Sequence, residues 1–153
     1  PILVVAKIPA NGRKTKMKYT ELKKKHRTEV ENFPMFFAFN EKQFTEGMKK
    51  LGLKENDLEL IIELPGTGGY LKKEDYQKFS NMMTEHKEEL EKLLMTDDEF
   101  CLDSLVYELE NHEYCITGDT EDALRALNLT KDMVYNDRRL IKILKQATRK
   151  AGE

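Results

Sequence analysis

The chain contains no tryptophan, two cysteines and four prolines among 153 residues. Cys101 and Cys115 are too few for a disulfide framework, so the fold must be held by burial of apolar surface, with both thiols reduced. No apolar run approaches the roughly 18–20 residues a membrane span requires. Residues 2–5 and 35–39 are the longest such runs, and both are strand-sized. No secretory signal pattern is evident, and a cytoplasmic protein is expected. Nor is the chain disordered. Hydrophobic residues make up 39% of it and recur at regular spacings beside 35% charged residues, which is the composition of a soluble, helix-rich domain.

What the chain does have is an uneven distribution of charge. Residues 1–54 hold thirteen Lys/Arg against five Asp/Glu, residues 55–122 hold five against twenty, and residues 123–153 hold eight against three. The overall charge of −2 thus conceals an acidic centre between two basic ends. Such asymmetry bears on partners and association rates and leaves the fold open.

The patterning predicts a single α+β domain over residues 17–153, mainly helical, with a small sheet of two or three strands and a long helical hairpin. Met17 reads as a natural start, with residues 1–16 as an extension. Residues 2–8 form a β-branched run ended by Pro9 and the Asn11-Gly12 turn signal. Thr20 is placed to cap a first helix, which Pro34 terminates. Residues 35–39 and 58–64 read as strands, with residues 2–8 as an optional third. Between the strands, Asn40 and Gln43 make a capping-box variant ahead of Phe44, Met48 and Leu51, and Gly52 stands at the helix stop.

Residues 65–69 read as a loop before the longest helix. That helix carries Tyr76, Phe79, Met83, His86, Leu90 and Leu93 at steps of three and four. Thr96 and Glu99 form a second capping box, and Leu102, Leu105, Leu109 and His112 mark the next face. These two helices, over 73–112, form the expected hairpin. Residues 114–116 read as an extended link. Asp119, Thr130 and Asp137 then cap three further helices, with Asn128 ending the first of them. Helix should cover about half the chain, above the usual third.

Several chemistries can be weighed against this frame. The glycines at 66, 68 and 69 follow a strand and precede a helix, but lack the spacing of a phosphate loop. His112 and Cys115, with Cys101 and His86, supply only one tight ligand pair, against the two usual for structural zinc. Cys101 stands among Asp97, Asp98, Glu99 and Asp103, whose field raises a thiol pKa and argues against a nucleophile. No catalytic, cofactor or metal residue is therefore assigned. The opening Pro1-Ile2 is similar to the start of the tautomerase superfamily, in which an N-terminal proline serves as general base. That reading is the third and smallest.

From Met17 onward the chain resembles an uncharacterised family of small proteins carried by phages, plasmids and integrative elements of gut Firmicutes and Bacteroidetes. The resemblance rests on residues 33–53 (FPMFFAFNEKQFTEGMKKLGL), 65–75 (PGTGGYLKKED) and 107–130 (YELENHEYCITGDTEDALRALNLT). It implies a non-enzymatic accessory protein that binds and blocks a host protein, a CRISPR nuclease or other defence factor being the specific expectation. The surface expected to bind is acidic: Asp97, Asp98, Glu99, Asp103, Glu110 and Glu113. Grouped at a helix N-terminus, the first three stay ionised at little folding cost. The alternative is nucleic-acid binding through the basic residues 14–27 and 138–150.

Overall fold

The computed structural model describes residues 16–153. The strand expected at 2–8, the Pro1 reading and residues 14–15 of the basic segment lie outside the described residues. The architecture is α+β and mainly helical, with helix over 67% of the structure. Its elements are α1 (Tyr19–Glu31), β1 (Met35–Phe37), α2 (Glu41–Lys50), β2 (Ile61–Leu64), β3 (Gly69–Lys72), α3 (Tyr76–Thr96), α4 (Asp98–Asn111), α5 (Tyr114–Thr117), α6 (Glu121–Ala126), α7 (Lys131–Tyr135) and α8 (Arg138–Ala151). The described residues group into two compact units, one of Lys24–Glu89 and one of Leu90–Glu153 with the residues up to Lys23. The division falls inside α1 and inside α3.

The Lys24–Glu89 unit holds the sheet, ordered β1-β3-β2 with both pairings antiparallel. The two expected strands are present, but they do not pair with each other. The short stretch from the end of the expected loop to the expected helix start supplies the central strand, β3, which aligns Leu71 with both Met35 and Ile62. The glycines are therefore the turn of a β-hairpin. Gly66 and Gly68 take φ of +76° and +74°, a region other residues enter only at a steric penalty. Thr67 closes the turn, donating from Oγ1 to the Leu64 carbonyl at 2.8 Å and accepting from the Gly69 N–H at 3.0 Å. Both outer strands are shorter than expected. Leu58–Leu60 is a 3₁₀ turn, and β1 stops at Phe37 because its partner β3 begins at Gly69; beyond it the Phe39 N–H donates to Gln43 Oε1 at 2.7 Å.

Helix α2 follows the capping signals closely. Asn40 Oδ1 accepts from the Gln43 N–H at 2.8 Å. At the other end Gly52 has φ +74°, and the Leu53 N–H reaches the Met48 carbonyl at 2.8 Å while Gly52 reaches Lys49. That pair of bonds is a Schellman motif. The apolar face of α2 lies on the sheet, where Phe36, Ala38, Met48, Leu51 and Ile61 form a core flanked by Phe44, Leu53 and Tyr70. Phe36 stacks on Tyr70 and meets Phe44 edge-on.

The second unit is all helical. Its core runs from Tyr19 and Leu22 through Leu94, Phe100, Cys101, Leu105 and Leu109 to Leu124, Leu140, Ile143 and Ala147. Here α4 packs against α6 and α8. The α4 cap differs from expectation. Asp97 accepts from the Phe100 N–H at 3.0 Å, while Thr96 closes α3 by donating to the Lys92 carbonyl. Residues 114–116 are likewise a helical turn, α5. Asp119 Oδ1 accepts from Glu121, ahead of α6. Asn128, at φ +59°, ends that helix. Thr130 and Asp137 cap α7 and α8 as expected. Thr20, expected as a cap, lies within α1.

Candidate functional site

Helix α4 organises the chemistry of its unit. Cys101, Ser104, Leu105, Glu108 and Leu109 all lie on its buried face. Ser104 Oγ donates back to the Phe100 carbonyl, which satisfies it locally. Glu108 is only 2% exposed and takes its partners from α1. The Tyr19 hydroxyl donates to Glu108 Oε2, and Lys23 Nζ lies 3.5 Å from the same oxygen. Tyr107 completes the group: its ring meets Tyr19 edge-on at 5.4 Å, and Lys23 Nζ stands 4.7 Å from its centroid. Burial, reinforced by the bond to Glu108, pushes the Tyr19 hydroxyl far above the usual phenol range. It remains a donor at every physiological pH. The arrangement clamps the start of α1 to α4.

The six carboxylates expected to bind a partner divide into two sets. Asp97 caps α4. Asp98 meets Arg139 Nε at 2.5 Å, and Arg139 also donates to the Leu94 carbonyl. Glu99 pairs with Lys16 at 3.0 Å. Asp103 Oδ2 accepts from the Tyr19 N–H at 3.2 Å, satisfying the first turn of α1. All four are therefore engaged within the chain, Asp97 and Asp103 through backbone N–H groups and Asp98 and Glu99 in exposed ion pairs. Glu110 and Glu113 are exposed and make no side-chain bond among the described residues.

Those two carboxylates mark the corner between α4 and α5. Glu113 adopts φ +56°, left-handed and uncommon for a side chain of its type. Gly118, at φ +68°, closes the same turn from the other side. Bonds from Ile116 and Thr117 to the Glu113 carbonyl hold the turn between them. The result places Ile116 outward, 78% exposed, with Glu110 and Glu113 before it and Asp119, Glu121 and Asp122 after it. Ile116 is the residue that sequence pattern overlooked; reading 114–116 as an extended link hid it.

Four cations of the basic ends pair with carboxylates of the acidic centre. Lys16, Lys23 and Arg139 are tied as above, and Lys25 meets Glu89 at 2.8 Å. Part of the charge asymmetry along the chain is thus internal complementarity. Beside Lys25, in the Lys24–Glu89 unit, His26 and His86 stack with centroids 3.9 Å apart. His26 Nε2 reaches Glu89 at 2.8 Å, while His86 Nε2 is buried without a hydrogen-bond partner, 3.4 Å from Glu29. The other sequence candidates stay apart. Cys101 is buried and Cys115 exposed, and no group of three metal-ligating side chains gathers among the described residues. Burial raises the Cys101 thiol to about 11, with Arg139 opposing the shift and Asp98, Asp137 and Asp97 adding to it. No described helix is long and apolar enough to cross a membrane.

Searches of curated proteins and of solved structures each returned no match. Residues 18–150 match the family of unknown function DUF7659. This spans nearly all the described structure, and the chain belongs to that family.

Proposed function

We propose that the chain is a non-enzymatic binding protein that engages a basic partner protein through the α4–α5 corner, with Ile116 as the apolar anchor and Glu110 and Glu113 as its acidic rim. The observation that carries this reading is Ile116 itself, 78% exposed in a turn held at both ends by left-handed residues. Non-glycine residues persist in that conformation where their surroundings over-determine them, and such positions cluster at functional sites. An apolar anchor ringed by polar groups is also the usual anatomy of a binding hot spot. The unpaired carboxylates supply long-range attraction to a basic surface.

The mobile-element setting implied by the resemblance makes the partner a host protein, of which a defence nuclease is the specific case. Nucleic-acid binding is the second reading, resting on the exposed cations of α8. It is weakened by the pairing of Lys16, Lys23, Lys25 and Arg139 to carboxylates. A photo-crosslinking residue in place of Ile116, carried by the full chain in host cells, tests the proposal. One discrete protein adduct is expected, and it should disappear when Glu110 and Glu113 become lysine. Crosslinks to nucleic acid, or none above those formed from a position on α7, would overturn it.

A further inference from the structure

Helix α8 carries no acidic residue, and its cations are set in a row. At roughly 3.6 residues per turn, Arg138, Lys142, Lys145 and Arg149 fall within about 60° of one another along about 16 Å of helix. Leu140, Ile143, Leu144, Ala147 and Ala151 take the opposite side and are buried. The four cations are exposed, as is Lys150. Ion pairing on α8 is confined to Arg139, which meets Asp98; none of these five has a carboxylate partner among the described residues.

The flanking carboxylates do not cancel the row. Asp98 and Glu99, along one side of α8, are paired with Arg139 and Lys16. On the other side Asp119 accepts from the Glu121 N–H, and Glu121 itself lies 4.0 Å from Lys131. Asp137 accepts from the Leu140 N–H at the head of the helix, and Glu153 follows its end. Counted in full, Asp119, Asp137 and Glu153 set three negative charges against five positive ones.

The chemistry of this face selects what it meets. No apolar residue of α8 is exposed. The row therefore lacks the anchor of a protein-binding hot spot and the apolar face that a membrane-surface helix inserts. It also has no aromatic ring on which unpaired bases would stack. What fits is a polyanion held by charge alone, as phosphate contacts hold duplex nucleic acid. We infer that the row of Arg138, Lys142, Lys145 and Arg149 binds the phosphate backbone of double-stranded nucleic acid without reading its sequence. The pairing that weakens such contact through residues 14–27 does not reach these four cations. The inference does not rest on the α4–α5 corner; it adds a second surface of opposite sign.

Fluorescence anisotropy of the full chain with short labelled DNA duplexes, from about 50 to 200 mM salt, tests it. Dissociation constants of about 10⁻⁴–10⁻⁶ M are expected, equal for duplexes of unrelated sequence. Four phosphate contacts predict a slope of about −3.6 for log affinity against log salt. Lys142→Gln with Lys145→Gln should bring the slope to about −1.8. Lys49→Gln with Lys50→Gln, an equal loss of charge on α2, should leave it unchanged. Ile116→Ala, which disables the corner, should also leave duplex binding as it is, so the two surfaces fail separately. All these positions are exposed, and each variant should keep the parent's circular dichroism. Equal slopes for the two lysine pairs, or no duplex binding at the lowest salt, would make the row a solvated surface and overturn the inference. So would tighter binding of single strands. Row-dependent binding of poly-glutamate or of phosphatidylserine vesicles as tight as that of the duplex would overturn it in favour of an acidic protein or a membrane.

Discussion

The Tyr19 hydroxyl donates to the carboxylate of Glu108, joining the first turn of α1 to the buried face of α4 across 89 residues of sequence. A carboxylate this deep is tolerated only when its oxygens are satisfied, and removing one partner leaves a charge whose desolvation is uncompensated. Tyr19→Phe should therefore destabilise the protein by about 1–3 kcal/mol in chemical denaturation, although the ring and its packing are kept. Glu108→Gln should do less harm, because the amide oxygen still accepts from Tyr19. An unchanged midpoint for Tyr19→Phe would show that water replaces the bond and that the clamp is not structural.

Gly47 lies inside α2, where alanine is ordinarily the better helix former by about 1 kcal/mol. A Cβ there would fall 2.0 Å from Cδ1 of the buried Phe36 ring. Gly47→Ala should thus destabilise by about 1–3 kcal/mol through overpacking. A rise in melting temperature would mean that the Phe36 ring moves aside freely.

The two thiols should react very differently. Cys115 is exposed, whereas Cys101 is buried with its pKa raised to about 11. One equivalent of maleimide should attach to the native protein at neutral pH, at Cys115, and a second only after unfolding. Labelling of Cys101 under native conditions would show that the α4–α8 packing opens readily.

Acid should weaken the Lys24–Glu89 unit. Burial, then the neighbouring His26, lowers the His86 pKa, with Glu29 and Glu89 pulling the other way. Burial would raise the Glu89 carboxyl, yet hydrogen bonds from Lys25 and His26 outweigh it and hold the group low. Below the ordinary imidazole value of 6.5 the unfolded chain takes up a proton that folded His86 resists, so stability falls as pH falls toward the folded value. Glu89 adds to this: its contribution is complete above its ordinary 4.5 and is lost as pH drops through its folded value. The urea midpoint should decline from pH 7.5 to pH 5, and His86→Gln should flatten the upper part of that decline. The same slope in His86→Gln would place the acid sensitivity elsewhere.

Local signals were the most legible part of this fold. Asn40 with Gln43, Gly52, Asn128, Thr130 and Asp137 act where their side chains allow, because capping depends on a few neighbouring atoms. β3 was hidden for the opposite reason. Four residues that begin with glycine and end with lysine have no strand pattern of their own, and only Met35 and Ile62 on either side make them one. Thr96 lost the α4 cap to its neighbour Asp97, a contest between adjacent good caps. The burial of Glu108 did leave a trace, since 101, 104, 105 and 108 follow the 3.6-residue period of the apolar face. The pairing of Asp98, Glu99 and Asp103 left none, because those bonds reach to Arg139, Lys16 and Tyr19.

The most direct measurement compares two sets of charge reversals for stability and for association with the crosslinked partner at low salt. Asp97, Asp98 and Asp103 changed to lysine should lower the denaturation midpoint, since a cap, an ion pair and the acceptor for α1 are lost together. Glu110 and Glu113 changed to lysine should leave the midpoint within about 0.5 kcal/mol of the parent, while slowing association at least about tenfold. If the triple variant keeps full stability and is the one that slows association, binding belongs to the α4 N-terminus and the account of the corner is wrong.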